Sequence, residues 1–207
     1  MTRNYIEFGT RNTDADTPAN SGHEILFLKG PLSEVSDQAS GLIIAGEPVE
    51  VDESVLRHLA KTLLLTEQLE RAQRRVNCFA FTAMLAGGCY GAQGAYKRRK
   101  IDFGEAIPVD EAAEPLDSMR PMVMGGIGVR GVLCARHATI RLPTQEPLWI
   151  HKYGGLRAGI ASLRSAATFY SATHISEAYK IHWDEAVWEG EPSESSSQNR
   201  HSYTQSI

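Results

Sequence analysis

The chain has 207 residues, of which 42% are hydrophobic and 22% charged, a composition typical of one globular domain. A formal net charge of −4 and an isoelectric point near 6.0 exclude a generally basic surface, so binding to nucleic acid phosphates or anionic lipid is not expected. No stretch approaches the ~18 consecutive apolar residues of a membrane span. We therefore expect neither a nucleic acid partner nor a membrane partner.

The number of cysteines and the N-terminal residues indicate the cellular compartment. Three cysteines, Cys78, Cys89 and Cys134, are too few and odd in number for a disulfide framework, which favours a reducing environment. The first residues lack the basic stretch and the apolar run of a secretory signal. We therefore predict a protein that is cytoplasmic as synthesised. Export by a secretion system that reads no cleavable signal stays open.

Both ends of the chain are polar. Residues 1–22 are rich in Thr, Asn, Asp and Gly, and residues 189–207 contain a Ser-rich run. Neither segment can bury enough apolar area to offset the entropy cost of ordering it. We predict a flexible N-terminal tail over 1–22, one domain over 23–188 and a disordered C-terminal tail over 189–207. The tails are candidate segments for binding a protein partner.

The first half of the central region reads as two strands and a helix. Short apolar runs before turn glycines predict strands at residues 24–28 and 41–45. Asp52 is a suitable N-cap for a helix, because apolar residues recur at helical spacing from Val55 to Leu69. This segment has the clearest helical pattern of the chain.

A second helix and a hairpin follow. Residues 78–86, preceded by the capping residue Asn77, are apolar nearly all round, which is typical of a buried helix. Little beyond loop is predicted over 91–121. The pattern then changes to two strands over 132–142 and 148–153, which we interpret as a hairpin.

The last elements are a short helix over 162–170, with Ser162 as its cap, and a strand over 178–183. The order is therefore two strands and two helices, then a hairpin, then one more helix and strand. Such an order indicates an α+β fold, with a central helix packed on an antiparallel sheet.

Cys78 lies in the first turn of the predicted buried helix. Unpaired backbone N–H groups and the positive end of the helix dipole stabilise a thiolate at such a position. The backbone N–H of Cys78 can also help to hold an oxyanion that forms beside it. Cys78 is therefore the candidate nucleophile, and its chemistry requires a base.

His137 is the candidate base, and the hairpin provides a geometric test. If Leu142 and Leu148 close the loop, Thr139 lies opposite His151, and both histidines project from the same face of the hairpin. One imidazole can then take the thiol proton while the other orients it. A register slip of one residue would put the two histidines on different faces.

Three segments together resemble the core of the papain-like cysteine hydrolases of the NlpC and CHAP types: residues 77–81, 137–140 and 149–154. In those families a cysteine opens a helix packed on an antiparallel sheet, a histidine begins a strand, and a polar residue of the next strand orients it. The resemblance implies a papain-like core with Cys78, His137 and His151 as catalytic residues. It also implies no cofactor and a peptide or amide substrate, often a cell-wall peptide. An upstream oxyanion side chain is expected as well, for which Gln73 is conceivable.

Three alternatives stay open. The same pair of residues can transfer the acyl group to an amine instead of water, as an acyltransferase or a transglutaminase-like enzyme does. The chain can also be a non-catalytic interaction protein that retains the fold, with Cys78 as a packed thiol. A zinc-stabilised module is the third alternative, with a mixed site drawn from Cys78, Cys89, Cys134 and His137.

Overall fold

The structure, a computed structural model, describes residues 4–9, 25–30, 39–72, 76–86, 98–112, 121–144, 147–153 and 158–183, with only the backbone for 98–103 and 178–183. Within these residues the fold is mixed α+β, as predicted, with three helices and one large sheet. The predicted tail over 189–207, Cys89 and Gln73 lie outside the described residues.

Eleven strands form the sheet: β1 (Tyr5–Gly9), β2 (Leu26–Leu28), β3 (Gly41–Ile44), β4 (Glu47–Val49), β5 (Arg98–Phe103), β6 (Ile107–Pro108), β7 (Pro121–Ile127), β8 (Leu133–Leu142), β9 (Leu148–Lys152), β10 (Ala158–Ala161) and β11 (His174–Trp183). Ten of them follow the order β4-β3-β1-β2-β10-β9-β8-β7-β11-β5, and β6 pairs with β11. All pairs are antiparallel except β1 with β3.

The first strand corrects the prediction of a flexible tail over 1–22. β1 lies between β2 and β3, with parallel pairing to β3. Ile6 and Phe8 are fully buried, because alternate residues of this strand face the core. The folded domain therefore begins before residue 23.

The helices are α1 (Glu53–Arg71), α2 (Cys78–Leu85) and α3 (Leu163–Phe169). Each predicted capping residue is confirmed, because its side-chain oxygen accepts a hydrogen bond from a backbone N–H of the first turn. Asp52 accepts from Ser54, Asn77 from Ala80 and Ser162 from Ser165. None of the helices in the described residues has the length and apolar character needed to cross a membrane.

The sheet lies between two layers of helix. α1 and α2 pack on one face, against a core that includes Ile140, Leu142 and Ile150. α3 packs on the other face, where its Ala166 contributes to a core with Trp149. The neighbours Trp149 and Ile150 thus point to opposite faces, as the period of two in a strand requires.

The region predicted as loop over 91–121 contains regular structure. β5 and β6 lie within it, followed by a 3₁₀ turn at Val109–Glu111. The last strand also begins earlier than the predicted residue 178, because β11 starts at His174. Both β5 and β6 pair with β11, so the structure of this region depends on a strand that comes much later in the chain.

Candidate functional site

The hairpin of β8 and β9 has the predicted register. Leu142 lies opposite Leu148 and Thr139 opposite His151, so the loop closes as expected. A β-bulge lies beside His137, since Met124 of β7 pairs with His137 while the next residue of β7 pairs with Ala135. The bulge leaves Arg136 as an extra residue, and bulges of this kind re-aim neighbouring side chains.

A chain of hydrogen bonds runs through the buried face of this hairpin. His137 Nε2 lies 2.9 Å from His151 Nδ1, which confirms that the two imidazoles meet. His151 Nε2 lies 3.3 Å from Thr139 Oγ1, and this hydroxyl donates to the backbone oxygen of Ile150 at 2.9 Å. Both histidines and Thr139 are fully buried.

The positions of the protons follow from counting donors along this chain. Thr139 has a single hydroxyl proton and donates it to Ile150, so its oxygen accepts from His151 Nε2–H. A neutral His151 then has a bare Nδ1, which accepts the proton of His137 Nε2. The same count leaves a lone pair on Nδ1 of His137.

Nδ1 of His137 is buried and has no hydrogen-bond partner among the described residues. Buried polar atoms normally have a partner, so an orphaned atom at the end of a satisfied chain requires an explanation. The site can accept a proton or a hydrogen bond at this atom.

Burial keeps both imidazoles neutral at pH 7. It lowers the pKa of His137 to about 3, because an imidazolium loses its hydration there. Burial also lowers the pKa of His151 well below its usual value, and the charge of His137 lowers it further. The neutral forms are those that the proton count requires.

Aromatic rings enclose the histidine pair. The ring of Tyr170, which follows α3, stacks on His137 with a centroid separation of 3.7 Å and an interplanar angle of 13°. The buried Tyr153 ring lies 5.4 Å from that of His151, and its hydroxyl has no hydrogen-bond partner among the described residues. Phe169 packs edge-on against Tyr153. Tyr170 itself is only half-buried, so one side of the enclosure faces the surface.

Cys78 is the first residue of α2, as predicted, and it is half-buried. Asn77, the residue before it, caps the helix, and its Oδ1 accepts from the backbone N–H of Ala80 at 2.8 Å. Positively polarised N–H groups at this helix start favour a negative charge on the cysteine sulfur.

The body of α2 and the histidine pair lie on opposite faces of the sheet. Phe81 of α2 packs with Ile150, whereas the adjacent His151 is on the side of Tyr170. The start of α2 lies beside the first half of β8, because Phe79 packs on Ala135. Among the described residues, β9 pairs with β8 only from Thr139 onwards. The part of β8 before Thr139, beside the start of α2, is therefore not paired with described residues of β9.

Cys78 and His137 are linked through Tyr170. Burial raises the pKa of the Tyr170 phenol, and the charge of Cys78 raises it further, so these two side chains lie within electrostatic range of each other. Tyr170 in turn stacks on His137. The thiol is not hydrogen-bonded to Nδ1 of His137, an atom that has no hydrogen-bond partner within the described part of the chain. The structure therefore brings the two histidines together and leaves the third predicted residue near their aromatic cover.

The described residues contain no group of three or more His, Cys, Asp or Glu side chains arranged to hold a metal ion. Cys134 is half-buried on β8, where its sulfur lies 3.9 Å from the backbone oxygen of Val132. Cys89, the remaining member of the mixed zinc site, lies outside the described residues.

Sequence reasoning missed the parts played by two residues. The period of two puts Thr139 on the same face of the hairpin as the histidines. That its hydroxyl anchors the hydrogen-bond chain is seen only from its distances to His151 and to the Ile150 oxygen in the structure. Tyr170 had no signal beyond its place at the end of a short helix, because its contact with His137 joins different layers of the fold.

Comparison with protein-family models finds no match for this chain. Comparisons with curated proteins and with solved structures find no similar protein.

Proposed function

We propose that the chain is a cysteine hydrolase that cleaves an amide or peptide bond, with Cys78 as nucleophile and His137 as general base. The observation that carries the proposal is the hydrogen-bond chain that ends in a lone pair at His137 Nδ1. A base must present a lone pair in a fixed direction, and its other nitrogen must be held. In a histidine pair with a purely structural role, the polar atoms at both ends of the hydrogen-bond chain would normally have partners.

The position of Cys78 supports the role of nucleophile. The N–H groups of the first turn of α2 stabilise a thiolate on the sulfur of Cys78, the first residue of this helix. Tyr170 contacts His137 and is within electrostatic range of Cys78, so the two groups share a neighbour. The proposal requires the sulfur to reach Nδ1 in the plane of the imidazole, beside the Tyr170 ring that covers one face of His137.

The reaction follows the usual two stages. His137 Nδ1 takes the proton of the Cys78 thiol as the sulfur attacks the substrate carbonyl and a C–S bond forms. The tetrahedral intermediate then breaks its C–N bond, and the proton on His137 goes to the departing amine. Water attacks the thioester while Nδ1 takes its proton. The acid leaves as the C–S bond breaks, and the sulfur recovers a proton.

His151 and Thr139 are positioning residues in this scheme. When His137 becomes an imidazolium, its Nε2–H can still donate to His151 Nδ1 without a change in tautomer. Thr139 holds the opposite side of the His151 ring, so the orientation of the base is fixed by two successive contacts.

The substrate class is an amide or peptide, and cell-wall peptides are the class that the resemblance to the NlpC and CHAP families implies. Transfer of the acyl group to an amine uses the same thioester and differs only in the second attacking group. A screen of cell-wall fragments and peptide amides against wild type and Cys78→Ala tests hydrolysis, and addition of a primary amine tests transfer.

Thiol reactivity tests the dyad without a known substrate. Cys78 and Cys134 are both half-buried, so Cys134 is an internal reference for exposure. With limiting iodoacetamide at pH 6, the wild type should label Cys78 faster than Cys134, and His137→Ala should abolish the difference. His174→Ala is the matched control, because it removes a half-buried histidine from β11.

Equal labelling of the two cysteines in the wild type would contradict the dyad and favour the non-catalytic interaction protein. Preferential labelling of Cys78 that survives in His137→Ala would assign the reactivity to the helix start alone. Peptide mapping by mass spectrometry distinguishes these results.

A further inference from the structure

Tyr170 closes the histidine pair on the side of α3. Its ring lies parallel to that of His137 at stacking distance, and His137 has no exposed surface. The ring itself is half-buried, so it separates the imidazole from solvent. The stacked ring therefore covers one face of the imidazole and stands between His137 and the solvent on this side.

The backbone next to this ring has a conformational feature of its own. Tyr170 is the C-cap of α3, and Ser171 after it has a φ of 49°. This left-handed conformation is uncommon and strained for a residue with a side chain. The turn that carries the ring is therefore held by contacts elsewhere.

Arg136 supplies one of these contacts. Its Nη1 donates to the backbone oxygen of Ser171 at 3.0 Å, and Arg136 is the bulged residue next to His137. The turn also donates two backbone hydrogen bonds to α3, from Ser171 to Thr168 and from Ala172 to Ala167. An exposed arginine thus joins the strand of the base to the turn that covers it.

We propose that Tyr170 is a movable gate over His137, whose ring seals the imidazole in the resting protein and swings out about Ser171 to admit a substrate. The gate explains how a fully enclosed base can take part in a reaction that needs an external carbonyl. The gate depends on the proposed hydrolase function only for the identity of the substrate that it admits. The movement itself can be measured on His137 in a protein that has no Cys78.

The experiment uses diethyl pyrocarbonate, which acylates neutral imidazole nitrogens, on the full chain in a Cys78→Ala background. Peptide mass spectrometry gives the rate at His137 relative to the half-buried His174. Tyr170→Ala removes the ring and should raise this ratio on the order of tenfold or more, since opening no longer precedes the reaction. Tyr170→Phe keeps the ring and should leave the ratio near that of the parent.

The gate is overturned if Tyr170→Ala is folded by circular dichroism and its His137 remains as slow as in the parent. It is also overturned if His137 in the parent reacts as fast as in Tyr170→Ala. Neither result depends on Cys78, so a failed gate and a failed nucleophile are distinguishable. Fast labelling in Tyr170→Ala with no thiol reactivity in the wild type would retain the gate and remove the hydrolase.

If Tyr170→Ala does not fold, the variant Arg136→Gln tests the gate instead. This substitution removes the tether to Ser171 at an exposed position and leaves the ring intact. It should raise the labelling rate of His137 relative to His174. Arg130→Gln is the matched control, because it removes an exposed arginine from the β7–β8 turn, and its ratio should be lower. Equal ratios in the two arginine variants would overturn the gate.

Discussion

His137 Nε2 and His151 Nδ1 are 2.9 Å apart with both rings fully buried, so the two imidazoles form one hydrogen-bonded unit. Only one of the two facing nitrogens carries a proton. Protonation of the other would place two N–H groups against each other in a buried site, which keeps His151 neutral. Burial keeps His137 neutral as well.

Acid should destabilise the protein through this pair. In the unfolded chain a histidine has a pKa near 6.5, whereas burial lowers that of folded His137 to about 3. The unfolded state therefore binds a proton that the folded state does not. The contribution of His137 is complete above pH 6.5 and is lost as the pH falls towards 3, by about 2 kcal/mol between pH 6.5 and pH 5. His151 contributes in the same direction. Urea denaturation at pH 7 and pH 5 measures the loss.

The double variant His137→Phe/His151→Phe should flatten this pH dependence, because neither ring can then be protonated on unfolding. His174→Ala serves as the control and should keep the slope. The same slope in the double variant and the wild type would show that the acid sensitivity lies elsewhere.

Thr139→Val should weaken both the fold and the base. The substitution leaves the buried His151 Nε2–H without its acceptor, which costs about 1–3 kcal/mol. A His151 ring without this contact is no longer confined to one tautomer, so the labelling of Cys78 relative to Cys134 should fall. Thr139→Ser retains the hydroxyl and should recover most of both quantities. A Val variant equal to wild type in urea melts and in labelling would refute the anchoring role.

Gly125→Ala should disrupt the bulge that precedes His137. A Cβ on Gly125 would overlap the backbone carbonyl of Cys134, and backbone cannot move aside as a flexible side chain can. We expect a loss on the order of 3 kcal/mol, as for other overpacked sites. Gly126→Ala is the matched control, since the nearest atom to its Cβ would be Arg136 Nη2 at 3.8 Å. The midpoint of thermal unfolding compares the two, and equal midpoints would count against a tight contact.

Asn77→Ala should remove the cap of α2. The Asn77 side chain accepts from Ala80 N–H, and loss of such a cap costs about 0.5–2 kcal/mol. Asn77→Asp keeps an acceptor at this position and should retain the stability of the helix. Because Cys78 follows the cap directly, the Ala variant should also lose part of the labelling preference of Cys78 at pH 6. Urea midpoints of the three proteins provide the check, and an Ala variant as stable as wild type would argue against the cap.

The histidine face was predictable because its evidence is local. Two residues, Leu142 and Leu148, close the loop, and the period of two then fixes which side chains share a face with His151. The caps Asp52 and Asn77 were predictable for the same reason, since each acts within its own first turn. Register and caps depend on neighbours in the sequence.

Contacts between distant segments were not predictable in this way. β1 is five residues long in a polar context, and its pairing depends on β2 and β3 on its two sides. Its buried side chains pack in the core with residues of α1. β10 has one residue of high strand preference, Ile160, among Ala and Gly, and it is a strand because β2 and β9 flank it. The period of two also cannot say which face of the sheet receives α2, so the side of the Cys78 helix required the structure.

The pairing of β2 with β10 has a consequence for how the chain acquires its fold. Phe27 of β2 lies opposite Gly159 of β10, so the sheet is joined at its middle by segments that are far apart in the chain. Closing so long a loop is entropically costly, and folds dominated by such contacts form slowly. During synthesis β2 cannot pair with β10 until most of the chain has left the ribosome. Until then the β2 edge of the β3-β1-β2 part of the sheet is unpaired. An edge left open in this way can pair with another copy of the chain, so the yield of folded protein should fall with concentration during refolding.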